Sequence, residues 1–353
     1  MFGSEGKDFR SCMKLAKSGD AAKQNELGGK YLIGRGVSRD YNEACKWFKL
    51  AAEKGYADAQ FNLAIMYRRG DGVPQSYEEA IKWYRLAAEQ GDTMAQNDLG
   101  TMNENGYGVP QSYEEAIKWY RLAAEQGNAR AQNNLGAMYN DGAGVPQSSE
   151  EAAKWFRLAA EQGDANARFN LGLMYEVGVG VPHCNEEAAK WFRLAAEQGN
   201  AMAQTELGVM YLNGIGVPLS NEEAFKWLTL AAERGDILAQ INIGAMYESG
   251  ENYKEAVKWF RLAAERGNAM AQVHLKWMYN EGKDTPQSCG ETQGRYMVAA
   301  EHGDPLAQCT LGMMYERGEG VPQNKEEALK WYRLAAEQGN ASAKRNLDSL
   351  MKK

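Results

Sequence analysis

The sequence predicts an all-α solenoid of antiparallel helix pairs. Three observations carry that prediction: a segment repeated at a fixed interval, two amphipathic stretches in each repeat, and turn and capping residues at matching places in every copy. The interval is plainest in "KWYRLAAEQG", which stands at residues 82–91, 118–127 and 330–339. Copies of this helix end on Gly19, Gly55, Gly91, Gly127, Gly163, Gly199, Gly235, Gly267, Gly303 and Gly339, spaced 36 residues apart except for 32 between Gly235 and Gly267. Nine repeats therefore fill residues 20–339 as a single solenoid domain, with a half-repeat helix at 1–19 and a capping helix at 340–353. A period of this length with two helices per copy marks an array in which each copy buries its apolar face only against its neighbours.

The second repeat shows the elements in order. After the turn at Gly55, "ADAQFNLAIMYRRG" brings Ala59, Leu63, Ala64 and Tyr67 to one side at helical spacing and stops at Gly70. This is helix A. "DGVPQ" follows, and Gly72 and Pro74 prevent the helix from continuing. Ser76 then opens helix B, "SYEEAIKWYRLAAEQG", with Glu79 at the S-x-x-E spacing that satisfies two orphan backbone donors at a helix start. The spacing returns as Asp40/Glu43, Ser112/Glu115, Ser148/Glu151, Ser220/Glu223, Asn252/Glu255, Ser288/Glu291 and Asn324/Glu327. Gly91 suits the left-handed position past a helix end, and Asp92 or its Asn equivalents cap the next helix A.

Within helix B, Trp83 shares a stripe with Ala80, Ala87 and Ala88, while Glu78 and Lys82 are four apart on the wet side. Tryptophan holds this column at 47, 83, 119, 155, 191, 227, 259 and 331. Such a row is either a stacking platform for ligands or packing between helices. Small alanines beside each indole favour packing, and truncating one costs about 3–5 kcal/mol.

The pattern "ADAQFNLAIMYRRGDGVPQSYEEAIKWYRLAAEQG" resembles the Sel1-like repeat family, a relative of the tetratricopeptide repeat, and similar copies cover residues 20–339. The resemblance implies a right-handed α-solenoid superhelix of antiparallel helix pairs. It also implies a non-catalytic scaffold or adaptor role in which helices A line a concave surface that binds a peptide or amphipathic helix of another protein. Family members act as adaptors in membrane-associated degradation complexes, as regulators of cell-wall synthesis and as bacterial host-interaction factors. Fold alone does not choose among these roles.

Comparing the copies column by column separates packing from recognition. Leu63, Ala64 and Tyr67 belong to columns that stay fixed, whereas Asp58, Phe61, Ile65 and Arg68 vary and lie on one helical stripe. That stripe is mostly polar in repeats three and four, with Met94, Asn97, Thr101 and Glu104, then Arg130, Asn133, Ala137 and Asn140. It turns apolar further on. Repeat six presents Met202, Thr205, Val209 and Leu212, repeat seven Leu238 and Ile241 with Ala245 and Glu248, repeat eight Met270, Val273 and Trp277 with Asn280, and repeat nine Leu306, Cys309 and Met313. A methionine-rich apolar tract has the chemistry of an adaptable peptide or helix groove. Repeat eight departs most from the pattern. Lys276 replaces the small residue, Arg295 the tryptophan, and Gly290 and Gly294 weaken helix B, while repeat seven loses four loop residues. A change of superhelix pitch is expected near residues 250–300.

Composition excludes several function classes. Lys+Arg number 40 against 47 Asp+Glu, a net charge of −7 that provides no basic field for nucleic acid or anionic lipid. No apolar run approaches the roughly 20 residues of a membrane span, so no direct membrane insertion is expected. The chain is read as soluble, monomeric and cytoplasmic, or as periplasmic or secreted if a leader was removed. The cysteines at 12, 45, 184, 289 and 309 have no regular spacing and read as free thiols. His183, His274 and His302 occupy unrelated repeat positions, so no metal site and no cofactor is expected. "SCMK" at 11–14 fits the S-x-x-K spacing of penicillin-recognising enzymes, but the companion S-D-N and K-T-G elements are absent. The family's cysteine-rich branch, linked with beta-lactam binding, carries a regular pair of half-cystines per repeat that this chain lacks. Paired carboxylates such as Glu78-Glu79 fall in helix first turns, where they complement the helix dipole. No catalytic residues are assigned. A beta-lactam-binding or beta-lactamase-like hydrolase and a secreted host-interaction factor stand as the alternatives.

Overall fold

Capping and turn chemistry set where each helix begins and ends. The computed structural model describes residues 3–280, 296–297, 299–301, 303–319 and 321–351. Contacts divide the chain into two compact blocks, 1–220 and 221–353. The first block runs α1 (Gly3–Lys17), α2 (Ala21–Ile33), α3 (Tyr41–Ala52), α4 (Ala57–Arg69), α5 (Tyr77–Glu89), α6 (Thr93–Asn105), α7 (Tyr113–Glu125), α8 (Ala129–Asp141), α9 (Ser149–Glu161), α10 (Ala165–Val177), α11 (Asn185–Glu197) and α12 (Ala201–Asn213). The second runs α13 (Asn221–Glu233), α14 (Ile237–Ser249), α15 (Tyr253–Glu265), α16 (Ala269–Asn280), α17 (Pro305–Arg317), α18 (Lys325–Glu337) and α19 (Ala341–Met351). Among the described residues there is no strand. Consecutive helices pack on one another from α1 to α12, from α13 to α16 and from α17 to α19, which makes the fold an all-α solenoid of helix pairs.

Helix B of repeat two begins as the sequence expects, with a correction. Ser76 Oγ accepts the Glu79 backbone N–H at 3.2 Å, but the Glu79 carboxylate does not reach back. It takes the Lys82 ammonium instead, and the Ser76 N–H donates to the Tyr67 carbonyl. The wet-side ion pair is therefore Glu79 to Lys82, not Glu78 to Lys82, and it recurs as Glu115–Lys118, Glu151–Lys154 and Glu187–Lys190. Helix A is capped by Asp92, Asn128, Asp164, Asn200, Asp236 and Asp304, each accepting a backbone N–H from the first turn. Gly91 adopts φ 92° and Gly70 φ 80°, the left-handed conformation that a side chain would strain.

Two features build the core. Tryptophans join successive repeats: Trp119 packs on the cluster around Tyr84 and Leu99, Trp155 on that around Tyr120, and Trp191 on that around Phe156. The aromatic that follows it is buried more deeply, as Phe48, Tyr84, Tyr120, Phe192, Phe260 and Tyr332. These rings lie against the small residue of helix A. A Cβ added to Gly100 would meet Tyr120 ring carbons at 2.6 Å, and one at Gly136 would meet Phe156 at 2.8 Å. Buried glutamines tie the helix ends. Gln96 Nε2 donates to the Ala88 carbonyl at 3.0 Å and Gln96 Oε1 accepts from Gln126 Nε2 at 3.0 Å. Gln60, Gln132 and Gln308 repeat both bonds, to Ala52, Ala124 and Ala300 and from Gln90, Gln162 and Gln338, while Gln240 repeats only the donation, to Ala232.

Candidate functional site

The variable stripe of the A helices divides into exposed and buried positions. In the first block, α12 exposes Met202 (52%) and leaves Val209 and Leu212 half-buried, whereas Thr205 is buried and its hydroxyl donates to the Ala201 carbonyl at 3.1 Å. In the second block, α14 exposes Leu238 (59%) but buries Ile241 in one cluster with Val257, Phe260 and Leu275. On α16, Met270 (59%), Val273 (66%) and Trp277 (41%) are all exposed. On α17, Leu306 is 70% exposed, Met313 half-buried, and Cys309 buried against Tyr332 and Ala343.

Thr205, Ile241 and Cys309 are thus corrections to the predicted binding stripe. They share the register of Phe61, and helix packing covers that register in all three repeats. Counting residues around one helix does not include what its neighbours cover. Lys276 is exposed on α16, while Gly290, Gly294 and Arg295, on which the expected change of pitch rests in part, lie outside the described residues.

Between the exposed residues of α16 lies His274. Its Nδ1 is 2.9 Å from Glu248 Oε2 of α14, and its ring stacks on Phe260 of α15, with centroids 4.5 Å apart and planes 9° from parallel. The spacing of the histidines in the sequence gives His274 no ligand role. Its role is to join three helices behind Val273 and Trp277. In the first block the A helices carry amide pairs instead: Asn62 Nδ2 donates to Asn25 Oδ1 at 3.0 Å, Asn134 to Asn97 at 3.1 Å and Asn170 to Asn133 at 3.0 Å.

The titratable groups are arranged for packing. Burial pushes the Tyr84, Tyr120 and Tyr332 hydroxyls upward, and Tyr120 donates to Glu104 at 2.6 Å, as Tyr332 does to Glu316 at 2.8 Å. Burial likewise raises the Cys12 thiol to about 11 and lifts Cys45 and Cys309, so these sulfurs are poorer nucleophiles than free cysteine. Cys12, Cys45, Cys184 and Cys309 are unpaired thiols. Ser11 and Lys14 are exposed on α1. Among the described residues no group of three or more His, Cys, Asp and Glu side chains is placed to hold a metal ion, and no helix is long and apolar enough to cross a membrane.

The Sel1 repeat family model matches residues 24–56, 57–92, 93–128, 129–164, 165–200, 201–236, 237–268 and 305–340. The unmatched interval, 269–304, is the repeat whose sequence departs most from the pattern. No curated protein matches the chain. Among solved structures, a protective antigen of uropathogenic Escherichia coli strains with an SLR fold is 33% identical, covering 97% of this chain and 82% of its own, with a TM-score of 0.73. A Sel1 repeat protein from Oxalobacter formigenes is 36% identical, covering 65% of this chain and 99% of its own, with a TM-score of 0.60. Eight matched repeats, the helix-pair packing and these two likenesses place the chain in the Sel1 repeat family, whose proteins typically serve as scaffolds that hold other proteins.

Proposed function

We propose that this protein is a non-catalytic scaffold or adaptor that holds a peptide or amphipathic helix of another protein on the exposed faces of its A helices. The observation that carries the reading is the cluster of large apolar side chains left in water on α16, where Met270, Val273 and Trp277 follow at helical spacing. Leu238 on α14 and Leu306 on α17 extend the same character within the second block, and Met202 on α12 provides a separate apolar face in the first. Each fully covered side chain of this size is worth about 1.5–3 kcal/mol. Leaving several of them exposed in one array is the usual mark of a partner surface. Thr205, Ile241 and Cys309 support the face from behind, and Val209, Leu212 and Met313 are its half-buried margin.

The test is a photo-crosslinking residue at position 306 in the native cell. A discrete crosslinked protein that disappears when Met270→Asp and Val273→Asp are combined, with helicity retained, is the expected result. Crosslinking that is indifferent to those changes would remove the proposed surface. Nitrocefin turnover lost on Ser11→Ala would instead establish the hydrolase alternative.

A second reading, a secreted host-interaction factor, is favoured by the relative described as a protective antigen. It differs in compartment, and fractionation of the native cell with protease treatment of intact cells decides it.

A further inference from the structure

In the first block a cleft of about 380 Å³ opens between α8 and α10, lined mainly by Ala137, Asn140, Phe156, Asn170, Leu173 and Met174. Its origin is legible residue by residue. Ala137 is a small side chain, as are Gly29 and Ala245, in a column that holds Ile65, Thr101, Leu173 and Val209 in other repeats. Phe156 stands where Tyr120 sends a hydroxyl to Thr101 and Glu104, and Asn140 stands where Glu104 does. Shortening at these places at once removes the atoms that fill the space in repeat three.

The second block contains the same cleft already filled. Ala245, Glu248, Phe260 and His274 occupy the registers of Ala137, Asn140, Phe156 and Asn170. The two phenylalanines are seated alike, since a Cβ on Gly136 would lie 2.8 Å from the Phe156 ring and one on Gly244 2.9 Å from the Phe260 ring. At Phe260 the space is taken by the imidazole of His274, stacked at 4.5 Å and bonded to Glu248. At Phe156 the corresponding residue is Asn170, whose amide turns to Asn133 and leaves the space open.

We infer that the cleft at Phe156 is a binding site for a planar N–H-bearing ring, the indole or imidazole of a tryptophan or histidine in a partner polypeptide. The ring stacks on Phe156 as His274 stacks on Phe260, and its N–H donates to the Asn140 amide oxygen, the register at which Glu248 accepts from His274. A polypeptide rather than a free small molecule is indicated by the amide pairs Asn134–Asn97 and Asn170–Asn133 on α6, α8 and α10, of which Asn133, Asn134 and Asn170 are half-buried and Asn97 is buried. They carry the donors and acceptors that a main chain needs on both sides of an anchored side chain. The site is in the first block and does not depend on the apolar faces of α14, α16 and α17.

The test follows the Met174 methyl resonance on the full chain during titration with acetyl-Ala-Ala-Trp-Ala-Ala-amide and its His and Leu counterparts. Saturable shifts with the Trp or His peptide, at least tenfold weaker with the Leu peptide and with free 3-methylindole, are expected. Asn170→His should fill the cleft from within, raise the thermal midpoint and abolish the shift. Ala137→Ile, which restores the residue found at the same register as Ile65, should also abolish it, and Trp277→Asp should leave it unchanged. Equal binding of the Leu peptide would overturn the ring specificity, and equal binding of 3-methylindole the polypeptide assignment. Shifts that persist in both filled variants, or no Met174 shift with any peptide, would remove the site.

Discussion

Replacing Gln96 with Met tests the reasoning about what ties one repeat to the next. Gln96 is 3% exposed, and its amide group bridges two helix ends: Nε2 donates to the Ala88 carbonyl of α5, and Oε1 accepts from Gln126 at the end of α7. Met preserves length and removes both bonds. A buried group left without its partner costs about 1–3 kcal/mol. Here the loss belongs toward the lower part of that range, because the Ala88 carbonyl keeps its bond from the Gly91 N–H and the exposed Gln126 amide is free to turn to water. We expect about 1–2 kcal/mol. Arg168 supplies the control, since it occupies the Gln96 register and donates from Nε to the Ala160 carbonyl at 3.0 Å. Gln96→Arg should therefore recover most of the loss. Repeat arrays open locally, so the assay is native-state hydrogen exchange at the amides of α5 and α6 rather than a single global midpoint. A Met variant within about 0.5 kcal/mol of the parent, or an Arg variant as unstable as the Met variant, would refute the reasoning.

Two further predictions concern glycines and thiols. Gly29→Ala, on α2 with nothing within 4 Å of the new methyl, should stabilise by up to about 1 kcal/mol through helix propensity, whereas Gly100→Ala should destabilise because its methyl would meet the Tyr120 ring at 2.6 Å. Paired urea titrations read the two signs. Among Cys12, Cys45, Cys184 and Cys309, only Cys184 is not buried, so a thiol reagent at pH 8 should modify it first. Since the Cys12 thiol is raised to about 11, its thiolate stays scarce below that pH and its labelling should accelerate only as pH approaches 11. Mass mapping after timed labelling distinguishes the sites.

The period, the helix boundaries and the caps were legible because each is written locally. Gly55 and Gly70 bracket α4 at Ala57–Arg69, and Ser76 opens α5 at Tyr77, as the turn residues require. The packing role of the tryptophans was legible from their alanine neighbours. What escaped was information held between helices. The Glu79 carboxylate had two partners within reach, its own helix start and Lys82, and sequence spacing alone favoured the wrong one. The large side chain that follows Trp47, Trp119 or Trp331 is buried more deeply than the Trp itself because it lies on a helix A residue some 20 positions earlier, as Tyr120 does on Gly100. Thr205, Ile241 and Cys309 looked available on a helical wheel and are covered by neighbouring helices. Their column was a mixture of support and surface: of Thr205, Ile241, Val273 and Cys309 at that register, only Val273 faces solvent.

The repeat explains why recognition falls to helix A. Helix B must fill the space between copies with a Trp, a second large side chain and alanines, and changing any of these opens a cavity or forces a clash. Helix A meets that constraint with its small, Leu and Gln columns and leaves the stripe of Ile65 and Arg68 to vary. Small changes there decide whether a cleft exists. Thr101 with Glu104 and Tyr120 closes it through hydrogen bonds, Ala137 with Asn140 and Phe156 opens it, and Ala245 with Phe260 opens it only for His274 to fill it from the next helix A. The chain thus shows closed, open and self-occupied versions of one position. The open version departs from the closed one by losses of side-chain atoms that none of the residues lining the cleft replaces. In a family whose stability comes from each copy packing on its neighbours, an uncompensated loss of packing is the kind of deviation that a ligand would account for.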